Sequence, residues 1–220
     1  MGVLESDREG VTKFRLRYTQ TDAFPAPWIQ TLDAWRRVLF DLGLIGEEPT
    51  EAGPIGFGNV SEKRAPGHDG RPRFLITATQ TGGKPRLTGR DYSLVTDWDL
   101  ARNTVCAQGP APPSSESLTH AALYTALAPV RFVFHAHSPP IWAAAERLGL
   151  TVTARHIPYG TPAIAREVQT VLTRLGSPRT GLLVMGGHRD GVLAFGERPE
   201  DAADALTRAL ARARALSSDA

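Results

Sequence analysis

The order of apolar and polar residues predicts a chain in which strands and helices interleave. Strands are indicated by short β-branched or aromatic runs, and helices by apolar residues three and four apart. We predict strands at residues 11–19, 74–79, 130–138, 151–157, 181–185 and 192–195. We predict helices at residues 25–42, 118–127, 141–148, 162–175 and 199–216. Residues 87–108 are expected to form a short helical turn and two strands, residues 53–61 a glycine-rich turn, and residues 63–73 an exposed loop.

The strand predicted at residues 130–138 ends in two histidines. His135 and His137 are two residues apart, and side chains at that spacing point to the same face of a strand. Both imidazoles can therefore reach one point beyond the strand, as two ligands of one metal ion do. Pro139 and Pro140 stop the strand at this place. The alternative is a pair of ordinary polar residues at a strand end, and the pair alone does not decide between the two.

A second predicted strand, residues 181–185, also leads to a histidine. Gly186 and Gly187 precede His188 and leave room around its ring. Strand ends of this kind can place a side chain at the mouth of a site.

The helix predicted at residues 118–127 begins with two serines and a glutamate. We expect Ser114 or Ser115 to cap this helix, with Glu116 in its first turn. Hydroxyl groups beside the unpaired N–H groups at the positive end of a helix suit a phosphate. The alternative is that the three residues only cap the helix. His120 lies one turn further on, where a packing or supporting role is expected rather than metal binding.

Two turns contain glycines that let a ligand approach the backbone. Asn59 follows Gly58 in the first turn, and Thr81 precedes Gly82 in the second. Taken alone, either turn is equally consistent with a simple reversal of the chain.

The composition is that of an ordinary globular protein. The 220 residues suffice for one core, and we expect a single domain over residues 1–220. A net charge of +2 is too small to indicate binding to nucleic acid or to a membrane surface. One cysteine, Cys106, excludes an internal disulfide, and no apolar run is long enough to span a bilayer. The first residues are polar and unlike a signal peptide, so a cytoplasmic location is expected.

Taken in order, these pieces resemble the class II aldolase and adducin head domain family. The segments that carry the resemblance are GNVS at 58–61, TG at 81–82 with LT at 87–88, PSSE at 113–116, HAHS at 135–138, and His188 with DGV at 190–192. They extend over residues 56–196, and their order matches the family throughout. Each segment is weak evidence, whereas the ordered set is strong.

The resemblance implies a three-layer α/β/α fold with a mixed, mostly antiparallel central sheet, usually in a homotetramer. It implies that His135, His137 and His188 hold a zinc ion, or another divalent transition metal. It implies that the glutamate at Glu116 leaves the metal to act as the base. The substrate phosphate is then expected at five residues: Asn59, Thr81, Gly82, Ser114 and Ser115. The implied reaction is aldol cleavage or condensation of a phosphorylated ketose through a zinc-stabilised enediolate.

Two positions depart from the family pattern. The family places its third histidine directly before a glycine, whereas Asp190 has that place here. His188 is the predicted ligand, and Asp190 is a second candidate that could bind the metal or orient a ligand. The tyrosine that protonates the leaving aldehyde has no clear match, although His156 and Tyr159 are nearby. Another lyase, such as a ketose-phosphate dehydratase, and a non-catalytic module like the adducin head therefore stay open as alternatives.

Overall fold

A computed structural model describes residues 12–51 and 53–218 of the chain, with a nine-stranded sheet at its centre. The strands are β1 (Arg15–Gln20), β2 (Gly46–Glu48), β3 (Ile55–Phe57), β4 (Asn59–Arg64), β5 (Arg73–Thr77), β6 (Tyr92–Asp99), β7 (Thr104–Gly109), β8 (Phe132–His137), β9 (Thr151–Val152), β10 (Gly181–Val184) and β11 (Gly191–Gly196). The helices are α1 (Ala26–Asp41), α2 (Ser117–Ala126), α3 (Pro139–Ala143), α4 (Pro162–Arg174) and α5 (Pro199–Ser218). A short 3-10 turn at Gly89–Asp91 precedes β6.

The sheet is mixed and mostly antiparallel. Its strand order is β1-β7-β6-β5-β4-β8-β11-β10-β9, while β2 and β3 form a separate hairpin. The outer pairs β1–β7 and β9–β10 are parallel, and the pairs between them are antiparallel. This confirms the sheet type that the family resemblance implied.

Helices cover both faces of the sheet and produce three layers. On one face, α1, α3 and α5 pack against apolar side chains that include Val60, Phe134 and Val192. On the opposite face, α2 and α4 pack against side chains that include Val133 and Leu193. Neighbouring residues of β8 enter different clusters because successive side chains of a strand alternate between faces. Both faces of β8 are therefore buried, as its nearly continuous apolar sequence predicts.

The predicted turn at residues 53–61 and the predicted loop at residues 63–73 are wrong in part. Residues 55–57 form β3, and β4 extends from Asn59 to Arg64 before the loop begins. The β2–β3 hairpin was missed because each of its strands has three residues, too few to show a period. Its antiparallel pairing places Gly46 opposite Phe57.

Three other boundaries also differ from prediction. The strand predicted at residues 151–157 ends at Val152, and a turn follows in which the Ile157 N–H donates to the Ala154 carbonyl at 3.1 Å. The helix predicted at residues 141–148 begins earlier, since the Ser138 hydroxyl caps it by accepting from the Ile141 N–H, and it ends at Ala143. The first predicted strand starts at Arg15 rather than Val11, and Val11 lies outside the described residues.

The predicted cap of α2 is wrong by one or two residues. The helix begins at Ser117, and Glu116 occupies the N-cap position instead of Ser114 or Ser115. The backbone carbonyl of Ser114 accepts a hydrogen bond from the Ser117 N–H at 3.1 Å, which forms a turn before the helix. This extra turn leaves Glu116 at the very start of the helix.

Among the described residues, none of the helices has the length and apolar character that crossing a membrane requires.

Candidate functional site

The strand directions bring the predicted site residues to one edge of the sheet. Both β5 and β8 are antiparallel to β4, so their carboxyl ends lie beside the first residue of β4, Asn59. Asn59 pairs directly with His135 of β8, and His137 pairs with Gly191 at the start of β11. Residues that are far apart in sequence therefore meet at this edge.

Three imidazoles converge there. One ring nitrogen from each of His135, His137 and His188 lies within 4.8 Å of the others. The ring centroids are 5.1 Å apart for His135 and His137, 5.0 Å for His135 and His188, and 4.9 Å for His137 and His188. His135 and His188 are buried, and His137 is half-buried. The nitrogens are close enough for small ring rotations to place them around one ion.

The hydrogen bonding of His135 determines which of its nitrogens faces the cluster. Nδ1 lies 3.2 Å from the Val192 carbonyl oxygen, and a carbonyl can only accept, so Nδ1 carries the hydrogen. Nε2 then presents a lone pair, and within the described part of the chain it has no hydrogen-bond partner. A ligand histidine is typically oriented in this way, by a carbonyl that accepts from its second nitrogen.

The environment also keeps His135 neutral. Burial, followed by the nearby rings of His188, His137 and His120, holds the pKa of His135 well below its ordinary value. A neutral imidazole is the form that binds a metal. A buried lone pair amid two further imidazoles fits a divalent transition metal, for which nitrogen and carboxylate ligands are common.

The turn between β10 and β11 places His188 in the cluster despite its unusual spacing. Gly191 permits the tight return, since a Cβ there would lie 3.0 Å from the Cγ and Nδ1 atoms of His188. Tyr159 stacks on the His188 ring, with centroids 4.4 Å apart and planes inclined by 22°. Asp190 adopts a left-handed backbone conformation, with φ 62°, and its carboxylate lies 3.5 Å from Arg189. The geometry therefore favours His188 over Asp190 as the third candidate ligand.

The carboxylate of Glu116 lies beside the cluster. Glu116 is 1% exposed, and its Oε1 atom lies 3.9 Å from Nδ1 of His188. Its position at the start of α2 lets the positive end of the helix stabilise the charged carboxylate. A buried carboxylate at this place can move a proton close to the point where the imidazoles converge.

The five residues predicted to bind phosphate are at the same edge and buried. They are Asn59, Thr81, Gly82, Ser114 and Ser115. The Ser114 N–H donates to the Thr77 carbonyl at 3.2 Å, which fixes the two serines beside the end of β5. The Thr81 hydroxyl donates to the Ala78 carbonyl at 2.8 Å, so its hydrogen is already committed within the loop.

Two residues at the site were missed from the sequence. Phe57, from the unpredicted hairpin, stacks on His137 with centroids 5.0 Å apart. Arg36 of α1 is buried and bonds to the loop that contains Thr81 and Gly82. A signal for Arg36 exists, because it lies four residues after Leu32 and three before Leu39 on the buried stripe of α1.

Ser61, His120 and Tyr124 form a buried hydrogen-bonded group in the protein interior. The Ser61 hydroxyl lies 2.6 Å from Nδ1 of His120 and 2.7 Å from the Tyr124 hydroxyl, and all three residues are buried. Burial lowers the pKa of His120 to about 3, so this ring is neutral. His120 is therefore a packing residue with a structural hydrogen bond, as predicted.

A cavity of about 320 Å³ opens onto the cluster. Its lining includes His137, Tyr159, His188, Asp190 and Glu48 of the β2–β3 hairpin. His156, in contrast, is exposed and does not line this cavity. The cavity has the size and mixed polarity of a small-molecule site.

The family model described as "Class II Aldolase and Adducin N-terminal domain" matches residues 53–216. The chain belongs to this family. Membership supports an aldolase-type lyase in general terms, and it agrees with the ordered motifs seen in the sequence. No curated protein matches the sequence at a significant level.

Several solved structures share the fold. An L-fuculose-1-phosphate aldolase from Thermus thermophilus has a TM-score of 0.62 and 23% identity, covering 89% of this chain and 95% of its own. A sugar-phosphate aldolase from Thermotoga maritima has a TM-score of 0.61 and 17% identity, covering 86% and 93%. YgbL from Escherichia coli, whose description leaves aldolase, epimerase and decarboxylase open, has a TM-score of 0.59 and 20% identity, covering 86% and 88%. At these identities the similarity is one of fold.

Proposed function

We propose that this class II aldolase family member is a metal-dependent lyase that cleaves or forms a carbon–carbon bond of a phosphorylated ketose. The observation that carries the proposal is the convergence of three imidazoles beside the Glu116 carboxylate. Placing His135 with a bare lone pair in the protein interior is unfavourable unless a ligand compensates. A non-catalytic module gains nothing from this arrangement.

His135, His137 and His188 would hold the cation, for which we propose Zn²⁺. Manganese, iron and cobalt are alternatives, since sites of imidazole and carboxylate accept several metals. When bound, the cation supplies a Lewis acid that stabilises negative charge developing on the substrate oxygens.

Glu116 is the proposed acid–base residue. In the direction of synthesis it removes a proton from the carbon next to the ketone, and in cleavage it returns a proton to that carbon. Its burial excludes water from the carboxylate, and its distance of 3.9 Å from His188 keeps it within reach of a substrate held at the imidazole cluster.

The phosphate of the substrate is proposed to bind at the five residues beside the end of β5. The serine hydroxyls, the Asn59 amide and the backbone N–H groups there are uncharged donors, so they bind an anion without competing with the substrate for the metal. The two serines precede the N-terminus of α2, whose positive end adds to the attraction.

Isotope exchange and metal analysis together test the proposal. With dihydroxyacetone phosphate in D₂O, the metal-loaded protein should exchange a hydroxymethyl proton, which NMR detects. The purified protein should contain about one divalent ion per chain, and His135→Ala should remove both the ion and the exchange. A protein that binds no divalent ion after incubation with Zn²⁺ would contradict the proposal and favour a non-catalytic module.

A dehydratase of a ketose phosphate is the second candidate. It is favoured by the missing match to the aldolase tyrosine, because a dehydratase needs the same metal and carboxylate without that proton donor. Tyr159 lies near the position where the aldolase tyrosine is expected, but its ring stacks on His188. A protein that holds its metal but gives no proton exchange would point to this reaction, and a panel of ketose phosphates would then identify the substrate.

A further inference from the structure

The buried side chain of Arg36 contacts the loop after β5. It is 1% exposed, and its terminal NH2 nitrogen donates to the carbonyls of Thr81 at 2.9 Å and Gly82 at 2.7 Å. The other terminal nitrogen donates to the Lys84 carbonyl. One guanidinium group therefore binds three carbonyls within four residues.

These contacts fix the direction of two neighbouring N–H groups. In a trans peptide the carbonyl of one residue and the N–H of the next point in opposite directions, and the described residues contain no cis peptide. When Arg36 holds the carbonyls of Thr81 and Gly82 toward itself, the N–H groups of Gly82 and Gly83 point away from α1. Two successive N–H groups with one direction form a concavity that suits an anion.

The described residues of the β2–β3 hairpin pack against these two glycines without accepting a hydrogen bond from their N–H groups. A Cβ on Gly82 would lie 2.2 Å from the Gly46 carbonyl oxygen, and one on Gly83 would lie 2.0 Å from Oε2 of Glu47. An anion at Gly83 therefore requires the Glu47 carboxylate to turn away.

Among the described residues, neither Gly82 nor Gly83 donates a backbone hydrogen bond, although Gly82 is buried. Buried N–H groups without a partner are rare in folded proteins. The Thr81 hydroxyl, in contrast, already donates to the Ala78 carbonyl. The available donors of the loop are therefore backbone amides rather than this hydroxyl.

The positive charge of Arg36 also favours binding of an anion at this loop. Within the part of the chain that the structure describes, Arg36 contacts three neutral carbonyls and the Phe40 ring, and no carboxylate lies within ion-pair distance of it. Asp33 and Asp91 act on its charge from further away and offset it only in part. The guanidinium remains charged at neutral pH. A buried positive charge behind the two N–H groups attracts an anion more strongly than the amides alone.

We propose that Arg36 is a positioning residue for the substrate phosphate, and that the Gly82 and Gly83 N–H groups bind the phosphate oxygens. Arg36 does this without touching the phosphate, since it lies on the carbonyl side of the loop. The proposal rests on the proposed function. It adds Arg36 and the Gly83 N–H to the phosphate site, and it explains how the loop is held in place.

Inorganic phosphate serves as the probe. Adding it to the metal-loaded protein should slow hydrogen exchange, or shift the NMR signals, of the Gly82 and Gly83 amides. Phosphate that binds elsewhere and leaves both amides unchanged overturns the proposal. This measurement uses the unaltered protein and does not depend on any variant folding.

Substitution of Arg36 tests the positioning role. Arg36→Met should raise the Kd for phosphate by about tenfold or more, because the N–H groups lose their preorganisation. Arg36→Lys, which keeps the charge and some of the donors, should recover part of this loss. Arg37→Met, which changes the exposed neighbour on α1, is the matched control and should bind phosphate as the wild type does.

Metal content separates this proposal from the proposed function. All three variants should retain the metal, since Arg36 contacts none of the candidate ligands. Phosphate affinity that survives Arg36→Met in a folded, metal-loaded protein overturns the positioning role alone. A wild type that holds its metal yet binds no phosphate contradicts the phosphate site of the proposed function itself.

Discussion

At the scale of single residues, burial distinguishes the site from ordinary polar positions. A His-x-His pair and a Ser-Ser-Glu segment are both common at strand and helix ends, which is why each is weak evidence in the sequence. The structure makes His135 and Glu116 almost wholly buried and brings them to one point. Polar residues at strand and helix ends are ordinarily exposed, so the joint burial of these two side chains beside the imidazole cluster distinguishes them from such residues.

Glu116→Gln should abolish most turnover while metal binding remains. The amide has nearly the same shape but cannot accept a proton, so kcat should fall by roughly 10²–10⁴-fold. Exchange of the hydroxymethyl proton and metal content are measured on the same preparation. Glu146→Gln, a change of an exposed glutamate, is the control. A fully active Glu116→Gln protein would remove the base assignment.

At the scale of elements, the β2–β3 hairpin is the part of the site that the sequence did not predict. The long elements were predicted because their apolar residues show a clear period, as in β8 and α4. The hairpin consists of two segments of three residues each, which are too short for a hydrophobic period to appear. The burial of Arg36 was missed for a different reason, since a charged residue is ordinarily expected at the surface even where the helical period places it on the buried stripe.

The hairpin should contribute to metal binding through Phe57. Its ring packs against His137, so Phe57→Ala should remove one of the contacts that orient that imidazole. We expect the dissociation constant for Zn²⁺ to rise by roughly tenfold, the lower end of the effect of groups that orient a ligand. Competition with a chromophoric chelator measures it. Trp28→Ala, which removes a partly exposed aromatic side chain of α1, is the control, and equal zinc affinity in the two variants would contradict a specific role for the hairpin.

At the scale of the whole molecule, the three layers bury the imidazoles of His120 and His135. This burial makes the free energy of unfolding depend on pH. The pKa of His120 is lowered to about 3 by burial, and that of His135 also lies well below its ordinary value. Above pH 6.5 these rings are neutral in both the folded and the unfolded chain. Below pH 6.5 the unfolded chain takes up protons that the folded chain does not, so stability falls as the pH decreases toward the folded pKa.

The metal-free protein should therefore lose stability in acid partly through His120. This residue should contribute about 1.4 kcal/mol per pH unit below pH 6, and the contribution should end near pH 3. Urea unfolding of the wild type and His120→Gln between about pH 7 and pH 4 measures the difference in slope, with His156→Gln as the control for an exposed ring. Identical slopes in the wild type and His120→Gln would exclude this origin of acid sensitivity.

The family resemblance correctly predicted the three-layer fold. Other properties of the whole molecule remain predictions. These are the single domain over residues 1–220, the homotetramer and the cytoplasmic location. Light scattering of the purified protein would test the tetramer. The tetramer could not be derived from local sequence patterns, because contacts between subunits depend on surface residues that only the folded chain brings together.

Anomalous diffraction at the zinc edge, from crystals grown with Zn²⁺, tests the metal site most directly. The predicted result is one strong peak per chain within bonding distance of His135, His137 and His188, with the Glu116 carboxylate beside it. A peak elsewhere, or rings of these histidines that point away from one another in these crystals, would contradict the proposed metal centre.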